Sequence, residues 1–221
     1  MWKDTEEFLS KDKFIGPLVV KWGRCQIKKR PKSLYFDNIA SSIIEQQLSG
    51  KAAETIYKRV LAVSSNGKKL IPEGLLETPD QKLRDCGMSW AKVKYVKDLA
   101  EKVKGGTLII TKLDKLPDEE IIGKLTQVKG IGRWTAEMFL MFTLARPDIF
   151  PVDDLGIKKG LRLLRASLRD GNPSGMESGS ERFEKAINEK EENEKMAKFA
   201  EKHWKRFRTV ASWYLWRSLE N

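Results

Sequence analysis

Apolar positions recur at intervals of three and four through most of this 221-residue chain, and strict alternation is nearly missing. From Asp37, "DNIASSIIEQQ" sets Ile39, Ile43 and Ile44 at close to helical period. "SGKAAETIYKRVLAV" continues as a second helix with Ser49 as its N-cap. In "TPDQKLRDCG", Thr78 and Gln81 fit a capping box, Pro79 suits the first turn, and Gly87 supplies the stop. "SWAKVKYVKDLAEKV" is amphipathic and ends near the glycine pair at 105–106. "LPDEEIIGKLTQV" opens another helix at Pro117, with acids in the first turn where the helix dipole favours negative charge. A short glycine turn leads into a helix running to about Leu144. The proline-bounded loop "RPDIFPV" follows, and helix resumes near "DDLGIKKGLRLL". Residues 169–180, "RDGNPSGMESGS", predict an exposed loop, and the charged run 181–204 predicts a solvated helix face. "RTVASWYLWRSL" predicts a closing, more apolar helix. No repeat of solenoid period is present, and the pattern predicts an all-α fold.

Composition narrows the function classes. The length accommodates one or two domains, and 40% hydrophobic with 33% charged residues is ordinary for a folded chain. No apolar run approaches the ~20 residues of a membrane span. The opening "WKDTEEF" does not read as a signal peptide, so an intracellular protein with no membrane partner is expected. Cys25 and Cys86 are the only cysteines and His203 the only histidine. That inventory excludes a Cys/His zinc site, a four-cysteine iron–sulfur cluster and any two-histidine mechanism. Both cysteines read as reduced thiols, and His203 as a helix-surface residue. The net charge of +11 favours polyanionic partners. Basic clusters at 27–32 and 158–165 tilt that preference toward nucleic acid.

The chemistry concentrates around "VKGIGRWTAEMF", residues 128–139. Two helices joined by "KGIG" form a hairpin whose glycines, Gly130 and Gly132, can take positive φ and leave room for an approaching backbone. The helix start behind them presents N–H groups and partial positive charge, with Lys129 and Arg133 adding formal charge: a cradle for a phosphate. A glycine C-cap between packed helices accounts for the same residues, and on the hairpin alone both readings stand.

The neighbourhood separates them. Residues 125–160, with "SIIEQQLSGKAAETIYKR" (42–59), "LRDCGMSWAKVKYVKDLA" (83–100) and "WKRFRTVASWYLWR" (204–217), resemble the helix–hairpin–helix DNA glycosylase superfamily. The chain is most similar to its 3-methyladenine DNA glycosylase II, alkylation-repair group. The chain departs from the family pattern at Lys129, where proline is common, and in the "KEENEK" region. The resemblance implies a two-lobed all-α architecture with the active site in the interlobe cleft. One lobe would comprise residues 35–145, the other 1–34 and 146–221. It implies a monomeric base-excision enzyme acting on double-stranded DNA with damaged bases, in the nucleoid or nucleus.

Individual roles follow by match. Strand-cutting relatives carry a lysine at position 134, which forms a Schiff base. The indole of Trp134 cannot, so the resemblance implies a monofunctional glycosylase that leaves an abasic site. The family's catalytic carboxylate falls on Asp154, which would stabilise an oxocarbenium-like sugar and orient or deprotonate water; Asp153 would then serve as an N-cap or a structural residue. Without the resemblance both acids read simply as caps. Trp134 and Trp216 would face the base, whose positive charge when N-alkylated attracts indole faces by up to ~2 kcal/mol. Core packing is the alternative for both, and the expectation for Trp22, Trp204 and Trp213. A wedge filling the gap left by the flipped nucleotide maps to Gln47, with Leu48 and Ser49 adjacent and Leu48 the most core-like; alternatively, Gln47 merely ends a helix. Thr135 would donate to a phosphate. Backbone carbonyls of Thr126, Val128 and Ile131 would hold Na+ or K+, with no other cofactor required. Two rival functions remain open at this point: a glycosylase for oxidised or deaminated bases, and a non-catalytic DNA-binding module.

Overall fold

The computed structural model describes residues 1–65, 67–169 and 189–220, and among them every regular element is helical. In chain order the α-helices are α1 (Lys3–Ser10), α2 (Gly16–Trp22), α3 (Tyr35–Glu45), α4 (Gly50–Ser64), α5 (Pro72–Glu77), α6 (Asp80–Asp85), α7 (Trp90–Lys104), α8 (Asp118–Leu125), α9 (Arg133–Phe142), α10 (Leu155–Arg169), α11 (Glu189–Trp204) and α12 (Arg208–Arg217). Beyond Arg169, the loop expected at 169–180 lies outside the described residues, as does the start of the charged run, 181–188. The chain divides into two compact units, Met1–Lys28 with Ala145–Asn221, and Lys29–Leu144.

The first unit packs α1, α2 and α10–α12 around the fully buried Leu9, Ile15, Trp204 and Tyr214. Burying each such side chain contributes ~1.5–3 kcal/mol. The indole N–H of Trp2 donates to the Ile27 carbonyl at 2.7 Å, fastening the residues before α1 to the segment that follows α2. Two glycines one turn apart let α10 and α12 approach closely. A Cβ on Gly160 would lie 2.6 Å from the Leu215 carbonyl oxygen, and one on Gly156 would lie 2.7 Å from Trp216 Cδ1. Trp204 is buried and Trp22 and Trp213 are partly buried against this core, as expected of packing residues. Cys25 is a buried thiol whose pKa burial pushes up to about 12, so it is inert as a nucleophile. His203 is less of a surface residue than its charged helix suggests. Its ring lies 4.5 Å from that of Phe199 and 5.0 Å from that of Phe14, and burial lowers its pKa.

The second unit buries Ile39, Ile43 and Ile44 from one face of α3, with Tyr35 edge-on to Phe139 of α9 at 5.5 Å. The chain joins this unit at Lys29: Lys29 and Lys32 pair with Asp114, and the Arg30 N–H donates to the Thr143 carbonyl at 2.9 Å. Gly87 ends the α6 segment at φ +106, the conformation that only glycine adopts cheaply. The capping box expected at Thr78 and Gln81 does not form. Thr78 is buried and its hydroxyl donates to the Gly74 carbonyl at 2.7 Å, closing α5 instead, while Gln81 donates to Asp85. The end of the preceding helix outcompetes the start of the next.

Candidate active site

In the first unit, the loop from Ala145 to Asp154 is tied to the start of α12. Arg208 donates to both carboxylate oxygens of Asp148, at 2.6 and 2.9 Å. Burial alone would raise the Asp148 pKa, but this pairing holds it below the usual carboxylate range. Thr209, with no exposed surface, donates its hydroxyl to the Arg146 carbonyl at 2.6 Å and accepts the Ile149 N–H at 3.0 Å. The loop therefore reaches Asp154 with its path fixed by a helix more than fifty residues downstream.

Asp154 itself is held by two donors on one oxygen. Its Oδ1 accepts the Ile157 N–H at 2.8 Å and the Trp216 indole N–H at 2.8 Å. The first bond makes Asp154 the N-cap of α10. Of the two roles open to Asp153, cap or structural residue, the first is corrected, because it stands one residue too far from the helix; its Oδ1 accepts instead from Asn193 at 2.7 Å. The second bond adds a role for Trp216. The half-buried indole lies across the start of α10, and only the missing Cβ of Gly156 lets it come close enough to donate. A carboxylate oriented by a helix N-terminus and an indole can face developing positive charge without reorganising.

The second unit carries the hairpin. Gly130 adopts φ +79, and a Cβ there would lie 2.1 Å from the Tyr95 ring, so glycine is required twice over. Gly132 is different: at φ −90 and ψ 176 it is extended, and it N-caps α9 with nothing near its missing Cβ. The open space leaves the helix start approachable, and the positive φ open to a glycine is not used there. Lys129 is exposed, and its backbone N–H donates to Asp98 Oδ2 at 2.9 Å, which anchors the turn to α7. Arg133 does not flank the cradle with free charge. It is bidentate to Glu119 and donates to Glu137 at 3.1 Å. Thr135 is buried, and its hydroxyl oxygen accepts from Gln46 at 3.3 Å. Of the five residues expected to meet a phosphate, Lys129, Gly130 and Gly132 thus share the open turn, while Arg133 and Thr135 are engaged within the protein. Among the carbonyls expected to hold a cation, that of Val128 accepts the Ile131 N–H at 3.1 Å, which uses one of its two lone pairs.

The loop after α3 is fastened to that hairpin. Lys92 donates to the carbonyls of Ile44 and Gln46 at 2.7 and 2.5 Å, and burial lowers its pKa. These bonds end the helix at Glu45, short of the expected Gln47. The Gln46 amide reaches the Gly130 carbonyl at 2.9 Å. Gln47 follows at φ +58, left-handed and exposed. Leu48, expected to be the most core-like of the three, is 38% exposed, because the left-handed step turns it away from the core. Ser49 occupies the N-cap position of α4 without a side-chain capping bond. Gln46, Gln47 and Leu48, the 39% exposed Trp134, and parts of α3, α4 and α9 line a concavity of about 1040 Å³ in this unit. Sequence reading missed Gln46, Lys92, Asp98, Arg208 and Thr209; the signal that nominates each is a partner distant along the chain.

Comparison with known proteins identifies the family. Residues 40–189 match the model of the HhH-GPD superfamily of base excision DNA repair proteins. The chain is 36% identical over 200 residues to the DNA-3-methyladenine glycosylase 1 of Schizosaccharomyces pombe, covering 88% of this chain and 75% of the relative. A solved structure of the S. pombe 3-methyladenine DNA glycosylase in complex with abasic DNA superposes with a TM-score of 0.77 at 32% identity, covering 97% of this chain and 95% of that one. The crystal structure of a DNA-3-methyladenine glycosidase from Bacillus halodurans gives 0.76 at 33% identity, covering 99% and 89%.

Proposed function

For this chain, which belongs to the HhH-GPD superfamily of base excision DNA repair proteins, we propose monofunctional excision of alkylated purines from double-stranded DNA. The observation that carries the reading is Asp154, a carboxylate whose Oδ1 receives both a helix-start N–H and an indole N–H. The target nucleotide is flipped from the stack, and Gln47, on its exposed left-handed step, fills the gap. Main-chain N–H groups at Gly130 and Gly132, with Lys129, hold a backbone phosphate. Na+ or K+ at the carbonyls of Thr126, Val128 and Ile131 would add positive charge to that cradle.

The base lies against Trp134, whose exposed ring suits a purine carrying positive charge. As the bond from C1′ to the base nitrogen breaks, the electron pair leaves with the base, which becomes neutral. Positive charge then develops on the deoxyribose, and Asp154 stabilises it. Water adds to C1′ and gives up a proton, with the carboxylate orienting it or accepting the proton. The product is an abasic site. Trp134 has no amine to form a Schiff base, so the strand stays intact.

Asp154→Asn tests the reading cleanly, because asparagine is also a good N-cap and keeps an oxygen for both donors while losing the charge. Wild-type protein should release methylpurines from an N-methylated duplex, with strand cutting only after alkali. The variant should bind the duplex and release nothing. Cutting without alkali would refute the monofunctional reading, and full activity in the variant would refute the role of Asp154.

A further inference from the structure

The concavity of the second unit is lined by one face of α3, on which Asn38, Ser41, Ser42 and Glu45 follow one another at helical spacing. Nearly every polar group there is already satisfied. Asn38 donates to Thr143 at 3.1 Å, and the Ser41 and Ser42 hydroxyls turn back to the Asn38 carbonyl. Tyr57 donates to Asp37 at 2.7 Å, and Glu54 pairs with Lys58 at 2.6 Å. Among the described residues on this lining, the Glu45 carboxylate is the acidic group without a hydrogen bond or ion pair. The other side chains left without partners are Gln47, already read as the wedge, and Arg30, a cation. Burial raises the Glu45 pKa. The chain thus sets an uncompensated carboxyl group in the same concavity as the Trp134 ring.

We propose that Glu45 is a specificity-determining residue that selects purines bearing a formal positive charge. The proposal rests on the alkylpurine reading above and deepens it. An indole face attracts a cation but also stacks on any neutral purine. A carboxylate adds what the ring lacks, a Coulombic attraction that a neutral base does not feel. The attraction acts on the bound, uncleaved nucleotide and vanishes when the base departs neutral. Glu45 therefore strengthens capture of the charged substrate without holding back the neutral product or stabilising the bond-breaking step.

The test compares wild type, Glu45→Gln and Glu45→Asp on a duplex with one N7-methylguanine and on a duplex with one hypoxanthine. Binding to a duplex with one tetrahydrofuran abasic analogue serves as the baseless control. Glu45→Gln should raise KM for N7-methylguanine about tenfold with kcat unchanged or higher, while abasic-duplex affinity and any hypoxanthine kinetics stay put. Glu45→Asp, which keeps the charge, should restore most of the loss. Wild-type kinetics in Glu45→Gln would overturn this inference and leave the proposed function standing. An equal loss on all three duplexes would overturn it too, by assigning Glu45 to folding or general DNA binding. A wild-type protein that releases no methylated purine would overturn the proposed function, and this inference with it.

Discussion

Gly156→Ala probes the Trp216–Asp154 bond without touching either partner. The added methyl carbon would lie 2.7 Å from Trp216 Cδ1, 2.9 Å from Nε1 and 3.0 Å from Asp154 Oδ1. Ordinary carbon contacts need 3.5–4.0 Å, so the indole must retreat by roughly an ångström. That retreat stretches the 2.8 Å bond out of hydrogen-bond range. A hydrogen bond to a charged acceptor contributes ~1.5–3 kcal/mol, while alanine in place of a helical glycine returns up to ~1 kcal/mol. The net loss of stability is about 1–2 kcal/mol, or about 3–6 °C in Tm for a chain of this size. Activity should fall further than stability suggests, by about tenfold to a hundredfold, because a carboxylate displaced by an ångström no longer faces the sugar. Trp216→Phe removes the donor and keeps a ring, and should fall in the same range. The decisive measurement is single-turnover base release by both variants and their combination, beside thermal unfolding. If the bond is the shared cause, the double variant loses no more than Trp216→Phe alone. Additive losses, or wild-type rates in Gly156→Ala, would refute the argument that α12 orients the carboxylate.

Two further outcomes are expected. Lys129→Ala should lower the slope of log affinity against log salt by about 0.9, the contribution of one phosphate contact, whereas Arg133→Ala should leave the slope unchanged because Glu119 and Glu137 already compensate that guanidinium. Asp98 should contribute an acid-sensitive part of stability: burial raises its pKa, but Lys102, the Lys129 N–H and the Lys129 charge outweigh that and hold it below the usual carboxylate range. With a depressed folded pKa, its stabilisation is present above the ordinary pKa of the unfolded chain and is lost as pH falls through the folded one, so Asp98→Asn should flatten the loss of unfolding free energy below about pH 4.

What could be read from the chain was whatever local pattern decides. Ile39, Ile43 and Ile44 mark the buried face of α3 by their spacing alone, and Gly87 and Gly130 mark turns because few other residues tolerate them. Resemblance nominated Asp154, and its capping geometry agrees with a helix starting at Leu155. Two of the failures share a physical origin. Thr78 had two helices to serve, and Arg133 had two carboxylates within reach. Both outcomes depend on a competing partner that local pattern does not weigh. The short amphipathic helices α1 and α2 went unread because seven- and eight-residue segments carry too few turns to establish a period. The polar face of α3 was visible as "NIASSIIE", yet nothing local says that it borders a concavity and not bulk solvent.

The tether beneath Gln47 has an evolutionary consequence. Lys92 and the Gln46 amide hold that loop through main-chain carbonyls and through the residue before Gln47, asking nothing of the side chain at 47 itself. A lineage can therefore exchange residue 47 for a larger, smaller or more apolar one, subject only to the left-handed backbone, while the loop's height above the hairpin is inherited unchanged. The position is free to drift toward new lesions because its neighbours are not.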